Sequence, residues 1–458
     1  MKRHLPLATL SLALAAIYPA TVCAAGANDA LLKELQELKA RMAELEKRLD
    51  SQPAAPAAPS GMTPEQLQDF NRIAVKTEAM EDSRDALGFK GLKISGYMDP
   101  TWIYNQRQHR AGFQFLNAVD NGGYFYDTSY IGTAVIDFTK ETDSGARWRL
   151  TLSPQRGTQA VAEGSNSPVH EASVSVPLTD LQTRFIAGHL PDWSGYEYLQ
   201  PTLNKLITHN LLFDTTLPAA YTGAGMELTR DKWIIKALVG NMNASKRQSG
   251  EKTPVVAYRV DYAKGEFQGF GFAGVHGKAP NASQNLLDGD GNPIAQRDSR
   301  VDLFEIDSYF IRGDLTAQAQ FSVGRQRKAS ISPDPLTGER RDAHWTGLSA
   351  LMAYKFEPWL EGIARLDHIW NRKNGGGLLT YTAADDRNGI GPAAGGDPNR
   401  GVDRSALTLG LGYNFNLNTV FKAEYRIDRA SGAVFRDTRD GGFKKTNQLL
   451  ATSVVVSF

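Results

Sequence analysis

Charged residues recur at every second position in several short stretches of this chain: Lys422, Glu424, Arg426 and Asp428; Glu361, Arg365 and Asp367; Arg147 and Arg149; Arg259 and Asp261; Glu305 and Asp307. A spacing of two places each row on one face of a strand. Phe421, Ala423, Tyr425 and Ile427 fall on the opposite face of the first row, and Trp148 and Leu150 on that of the third. Acids and bases alternating around a water-filled space set up a transverse field that orients polar solutes and filters ions weakly by sign. The same residues could instead pair into bridges that brace a wall. Neither role includes a covalent step. The sequence supports no catalytic or metal chemistry: His170-Glu171 has no second histidine at the zinc-protease spacing. Asp288-Gly289-Asp290-Gly291-Asn292 begins like a calcium loop, but Pro293 stands at the glycine position and Ser299 at that of the bidentate glutamate. No G-x-S-x-G, phosphate-binding loop or dinucleotide fingerprint is present. We therefore expect no enzyme, no metal and no cofactor.

The elements that must position these rows are strands. From Gly91 onward the apolar period is two, and the expected fold is an all-β transmembrane antiparallel barrel of about 16 strands, preceded by a short α-helical coiled coil. The expected runs start near 92–106 and 126–140 and end at 446–458. Every second connection is tight, as at 141–146, 178–181, 230–232, 264–268, 313–314, 356–358 and 415–418. The others, 107–125, 156–167, 191–218, 242–253, 278–299, 326–342, 372–402 and 430–445, are long and polar or glycine-rich. Tight turns at one end and long loops at the other are the layout of a membrane barrel, whose interior is wet. Lys or Arg facing lipid at mid-depth would cost about 2–4 kcal/mol each, so the charged rows must face inward. Trp102, Trp148, Trp233, Trp345, Trp359, Trp370, Tyr97, Tyr130, Tyr354 and Tyr413 suit interfacial girdles. The final strand alternates Leu450, Thr452, Val454, Val456 and Phe458 against Ser453 and Ser457, and a terminal strand with no later element to cover it needs a partner on each side.

One long connection is too apolar to wave in water. Residues 191–218 carry Leu199, Leu203, Leu206, Ile207, Leu211, Leu212, Phe213 and Leu217. Folded into the lumen, this segment would bring Glu197, Lys205, His209 and Asp214 to a constriction; packed on a rim or a neighbouring copy, it would not.

The N-terminal quarter reads differently. Residues 1–25 form a basic-then-apolar-then-small pattern, that of a secretory signal peptide. Leu31, Leu35, Leu38, Met42, Leu45 and Leu49 make a heptad seam over residues 26–50. Too short to hold alone in water, the seam suits copies held together elsewhere, and we expect a homotrimer. A Pro/Ala linker spans 51–61 and a polar helical connector 62–90, ahead of the barrel at 91–458. The segment 26–61 could touch peptidoglycan or another envelope partner. Cys23 is the sole cysteine, so the chain after the leader has no thiol. A formal charge of +1 gives no case for nucleic acid.

Through Gly96-Tyr97-Met98-Asp99, His189-Leu190-Pro191-Asp192-Trp193-Ser194-Gly195-Tyr196-Glu197 and Thr208-His209-Asn210-Leu211-Leu212-Phe213, the chain resembles the OmpL-like β-barrel porin family. It is also distantly similar to phosphate-selective porins. The resemblance covers most of 91–458. It implies passive diffusion of small hydrophilic solutes or ions through a pore in the outer membrane of a Gram-negative cell, outer-membrane lipid as surroundings, and no catalytic residues. It carries over no solute, because acids alternate with the bases where a phosphate pore would be basic. A structural reading stays beside it, in which the barrel anchors a coiled coil that grips the cell wall.

Overall fold

A computed structural model of the chain describes residues 72–73, 75–79, 88–115, 131–153, 168–243, 254–290, 293–295, 297–379 and 383–458. The expected signal peptide, heptad seam and Pro/Ala linker lie outside these residues. Of the connector, residues 72–73 and 75–79 are helical and exposed. Just before the barrel, Gly91 accepts the Glu141 N–H at 3.0 Å and Lys90 pairs with Asp143 at 3.2 Å.

Alternation of apolar and polar residues builds one sheet of eighteen strand segments. In chain order these are β1 (Leu92–Met98), β2 (Thr101–Asn105), β3 (Arg110–Gln114), β4 (Ala134–Glu141), β5 (Arg147–Leu152), β6 (Val169–Asp180), β7 (Thr183–Pro191), β8 (Ala220–Arg230) and β9 (Trp233–Met242). They continue as β10 (Val255–Gly265), β11 (Gln268–Pro280), β12 (Asp298–Arg312), β13 (Leu315–Gln326), β14 (Ala343–Glu357), β15 (Leu360–Trp370), β16 (Arg404–Asn416), β17 (Thr419–Ala430) and β18 (Thr446–Ser457). Tyr97 opposite Ser457 and Thr101 opposite Ser453 share one register along β18, so β1 and β2 are a single row interrupted at Asp99-Pro100. On their other side lie β3, against β2, and β4, against β1. The segments therefore form sixteen rows, closed where Phe458 and Gly96 exchange backbone hydrogen bonds at 3.1 and 3.3 Å. The terminal strand has its partner on each side, β17 and β1.

The first long connection is not where the periodicity put it. A tight turn at 106–109, with His109 at φ 48°, ends the first row, and the second begins at Arg110 rather than near 126. Of that row the sheet holds β3 up to Gln114 and β4 from Ala134, and just before β4 Asp99 accepts the Gly132 N–H at 3.2 Å, the Thr133 hydroxyl at 2.6 Å and the Thr133 N–H. A strand that stops after five residues gives too few alternations to register in a sequence window.

The alternation resolves as the lipid argument demanded. On β15 and β16, Leu366, Leu407, Leu409 and Leu411 are exposed outward while Arg365, Asp367 and Thr408 are buried inward. Trp148, Trp233, Tyr354, Trp359, Trp370 and Tyr413 are exposed on the outer face, whereas Tyr97 and Trp345 are buried; Tyr130 lies outside the described residues. The interior departs from the expected wet lining. Towards the long-loop ends of β9 to β12 the inward row turns apolar, with Leu238, Met242, Val255, Ala257, Val275, Val301 and Leu303 in one buried cluster. Apolar side chains from the connections 192–219 and 371–403, Leu211, Leu212, Leu378 and Leu379 among them, join the same cluster. Burying them against the wall removes from water surface worth roughly 25 cal/mol per Å².

Candidate functional site

The connection 192–219 lies against the inner wall formed by β13 to β17. Its short helix α1 (Leu211–Thr216) is capped by Asn210, whose side chain accepts the Phe213 N–H at 2.8 Å. A side-chain oxygen at the N-cap satisfies a donor that the helix leaves open. The other peptide groups of the segment find partners on the wall, as buried backbone must. Glu424 accepts Ile207 N–H at 2.7 Å, Thr208 N–H at 3.0 Å and the Thr208 hydroxyl. Arg365 donates to Glu197 Oε1 at 2.8 Å, Thr208 O at 2.7 Å, His209 O at 2.9 Å and Asp367 at 3.2 Å. Arg426 reaches His209 O at 3.0 Å and Asp428 at 2.9 Å, and Lys422 donates to the carbonyls of Pro201 at 2.6 Å and Asn204. Lys205 pairs with Glu361 at 2.6 Å, Leu211 N–H points at Asp367 at 3.4 Å, and the Tyr196 hydroxyl meets Ser349 at 2.6 Å.

Two glycines make the close approach possible. A Cβ on Gly410 would lie 2.3 Å from Leu206 Cδ2, and one on Gly347 would lie 2.9 Å from Leu212 Cγ. A wall with side chains at both points would hold the segment away.

Burial decides the protonation of two ionisable groups carried by the connection. It pushes the Glu197 carboxyl up to about 7, against the pull of the adjacent Arg365 guanidinium and the Asn210 N–H. It pushes His209 down to about 4, although Asp214 nearby acts the other way. The His209 ring stacks on Phe213 with centroids 4.1 Å apart, and its Nε2 lies 2.6 Å from Tyr198 O.

The structure thus brings Glu197, Lys205 and His209 together with Glu361, Arg365, Asp367, Lys422, Glu424, Arg426 and Asp428. Asp214 sits half-buried in α1, its N–H on Asn210 O at 3.2 Å. A second group lies along the wall on β10 to β12. There Arg259 pairs with Asp261 and Asp307, each at 2.7 Å, and Glu305 accepts Gln320 Nε2 at 2.6 Å. Gln320 in turn accepts from Asn210 at 3.4 Å, which links this group to the connection. Arg147 and Arg149 are on neither; Arg149 pairs with Asp137 at 2.8 Å and Glu171 at 3.4 Å on β4 to β6. Sequence reasoning missed Tyr196, Thr208, Asn210, Gln320, Ser349 and the two glycines. What pointed to the three on the connection was its apolar run and the motifs 189–197 and 208–213 that carry the family resemblance. No group of His, Cys, Asp or Glu among the described residues has the geometry to hold a metal ion.

Residues 64–458 match a family described as protein of unknown function (DUF3138), and the chain belongs to that family. No curated protein matches the sequence. Among solved structures, the chain is similar to OmpT, an outer membrane protein of Vibrio cholerae, at 12% identity and a TM-score of 0.51, covering 80% of this chain and 97% of that one. An anion-selective porin from Comamonas acidovorans matches at 9% identity and a TM-score of 0.49, covering 80% and 99%. The first of these likenesses is to the fold alone, a closed sixteen-strand antiparallel barrel.

Proposed function

We propose that this DUF3138 protein is an outer-membrane porin through which small hydrophilic solutes or ions diffuse passively, close in kind to the OmpL-like porins its motifs resemble. The observation that carries the reading is the docking of 192–219 on the inner wall by opposed charges. A segment held inside a barrel narrows the passage, and the half-buried Arg147 and Arg149 on β5, which it does not cover, supply a weak filter by sign. The long loops then face outside and the tight turns the periplasm. In this reading the N-terminal segment and Phe458 share the periplasmic side, which the even number of rows supports, and the heptad seam favours a homotrimer. No energy input and no covalent step enter the mechanism.

Single-channel conductance of the refolded full chain in planar bilayers, under a salt gradient, tests this. Small steps in multiples of three with modest ion preference are expected. A folded, heat-modifiable barrel that passes no current would overturn the porin reading.

A further inference from the structure

On the outer face of the barrel, at the long-loop ends of β13 to β16, lies a groove of about 540 Å³. Its floor carries Val323, His344, Thr346 and Trp370 from the outward-facing rows, and its upper edge carries Arg372 and Lys373. Val323 and Trp370 are both exposed. Trp370 is steadied by the His368 ring set edge-on at 4.3 Å. Above them Arg372 is ion-paired with Asp403, whose carboxylate also accepts the Asn371 N–H at 3.0 Å. Lys373 is exposed and has no carboxylate within ion-pair distance among the described residues, so the edge holds one uncompensated positive charge. The backbone there is pinned: Gly401 N–H donates to Arg372 O at 2.9 Å, Gly375 N–H to Asn399 O at 2.8 Å, and Gly376 N–H to Lys373 O at 2.9 Å. Cations held in place over an apolar, aromatic floor lose little freedom when an anion arrives.

Given the outer-membrane reading above, on which this rests, we infer that the groove binds one phosphorylated lipid of the outer leaflet. Its acyl chain lies along Val323 and Trp370, and its headgroup phosphate sits at Lys373 and Arg372. The amphiphile fits in both halves. Tryptophan belongs at the depth where tails meet headgroups, and a lysine or arginine at that depth turns its charge towards the headgroup layer. A free anion would use the edge and leave the floor empty, whereas a neutral lipid would use the floor and leave Lys373 unpaired.

The full chain, purified in micelles and examined by native mass spectrometry, should retain synthetic lipid A in preference to its dephosphorylated counterpart. Lys373→Gln, which breaks no contact among the described residues, should weaken retention of the phosphorylated form by about tenfold, the loss expected for one charged hydrogen bond. Trp370→Ala should weaken both forms. Equal retention of the two lipids, an unchanged Lys373→Gln variant, or displacement by inorganic phosphate at the same concentration would overturn the inference. Leu336→Cys separates this from failure of the outer-membrane reading, since Leu336 is 94% exposed on the long loop 327–342 beside the groove. Labelling of that thiol from outside intact cells, with no preference for phosphorylated lipid, sinks the lipid site alone. Labelling only after lysis sinks the orientation, and the lipid site with it.

Discussion

The inner wall uses one pattern in two ways. On β15 and β17, charged residues at alternate positions lie under the connection 192–219, and the side chains of Arg365 and Asp367 are 0% exposed. On β4 to β6 the same alternation leaves the Arg149 side chain 21% exposed beside Asp137 and Glu171. In the first region the charges serve as a dock, since Arg365, Lys422, Glu424 and Arg426 each take two or more partners from the connection. In the second they pair with one another along the wall. The difference comes from what faces each wall, because both rows read alike in sequence.

The sharpest way to break the contrast is Arg365→Ala. It would strand Glu197 and Asp367 as buried carboxylates without their counter-charge, and removing one partner of a buried pair costs about 3–5 kcal/mol. Amides of 196–210 should then exchange with deuterium much faster, and conductance should rise. Unchanged exchange would mean that the apolar contacts alone hold the segment. Glu424→Gln comes next. Its amide keeps one acceptor for three donors, so an expected loss of about 1–3 kcal/mol should appear in the same exchange measurement. Gly410→Val forces Leu206 from its seat, with overpacking worth about 1–3 kcal/mol. A thermal melt that does not move would show that the segment already sits clear of the wall.

The two titrating groups should sharpen the contrast with opposite signs. Glu197 is raised from its ordinary 4.5 to about 7, so its contribution to docking is full below pH 4.5 and lost as pH climbs through 7. His209 is lowered from 6.5 to about 4, so its contribution is present above pH 6.5 and lost as pH falls through 4. Glu197→Gln should therefore abolish the loosening near pH 7, leaving that of Asp192, which burial raises to about 6, and His209→Asn should abolish the loosening in acid. Exchange of the 196–210 amides at several pH values reads both. The smallest effect belongs to the other wall. Arg149→Gln should cost about 1 kcal/mol or less, as partly wet pairs do, yet shift the reversal potential towards cations. A shift of that kind from Arg365→Gln instead would reverse the roles of the two walls.

Much of this was legible before any coordinates. Tight and long connections alternate in the sequence at nearly the positions where the rows turn, because turn residues and a period of two are local signals. The inward direction of Lys422, Glu424, Arg426 and Asp428 followed from the cost of charge in lipid. The apolar connection was visible too, but not its seat. Thr208 and Glu424 are more than two hundred residues apart, and nothing local to either announces the contact. Gly347 and Gly410 look like any strand glycine until Leu212 and Leu206 are placed over them. The apolar inward patch around Leu238 and Val255 was hidden for the same reason: a two-residue period identifies a face without telling what will cover it.

The break in the first two rows has a use of its own. At Asp99-Pro100 the first row pauses; beside it β3 ends at Gln114, and the approach to β4 is fastened by Asp99 and by Ile131, clustered with Ile103 and Leu449. The register of β18 runs past this point without a slip. A single side chain therefore spans the interruption of both rows: Asp99 sits at the pause of the first and holds the start of β4 in the second, while β18 carries the register across.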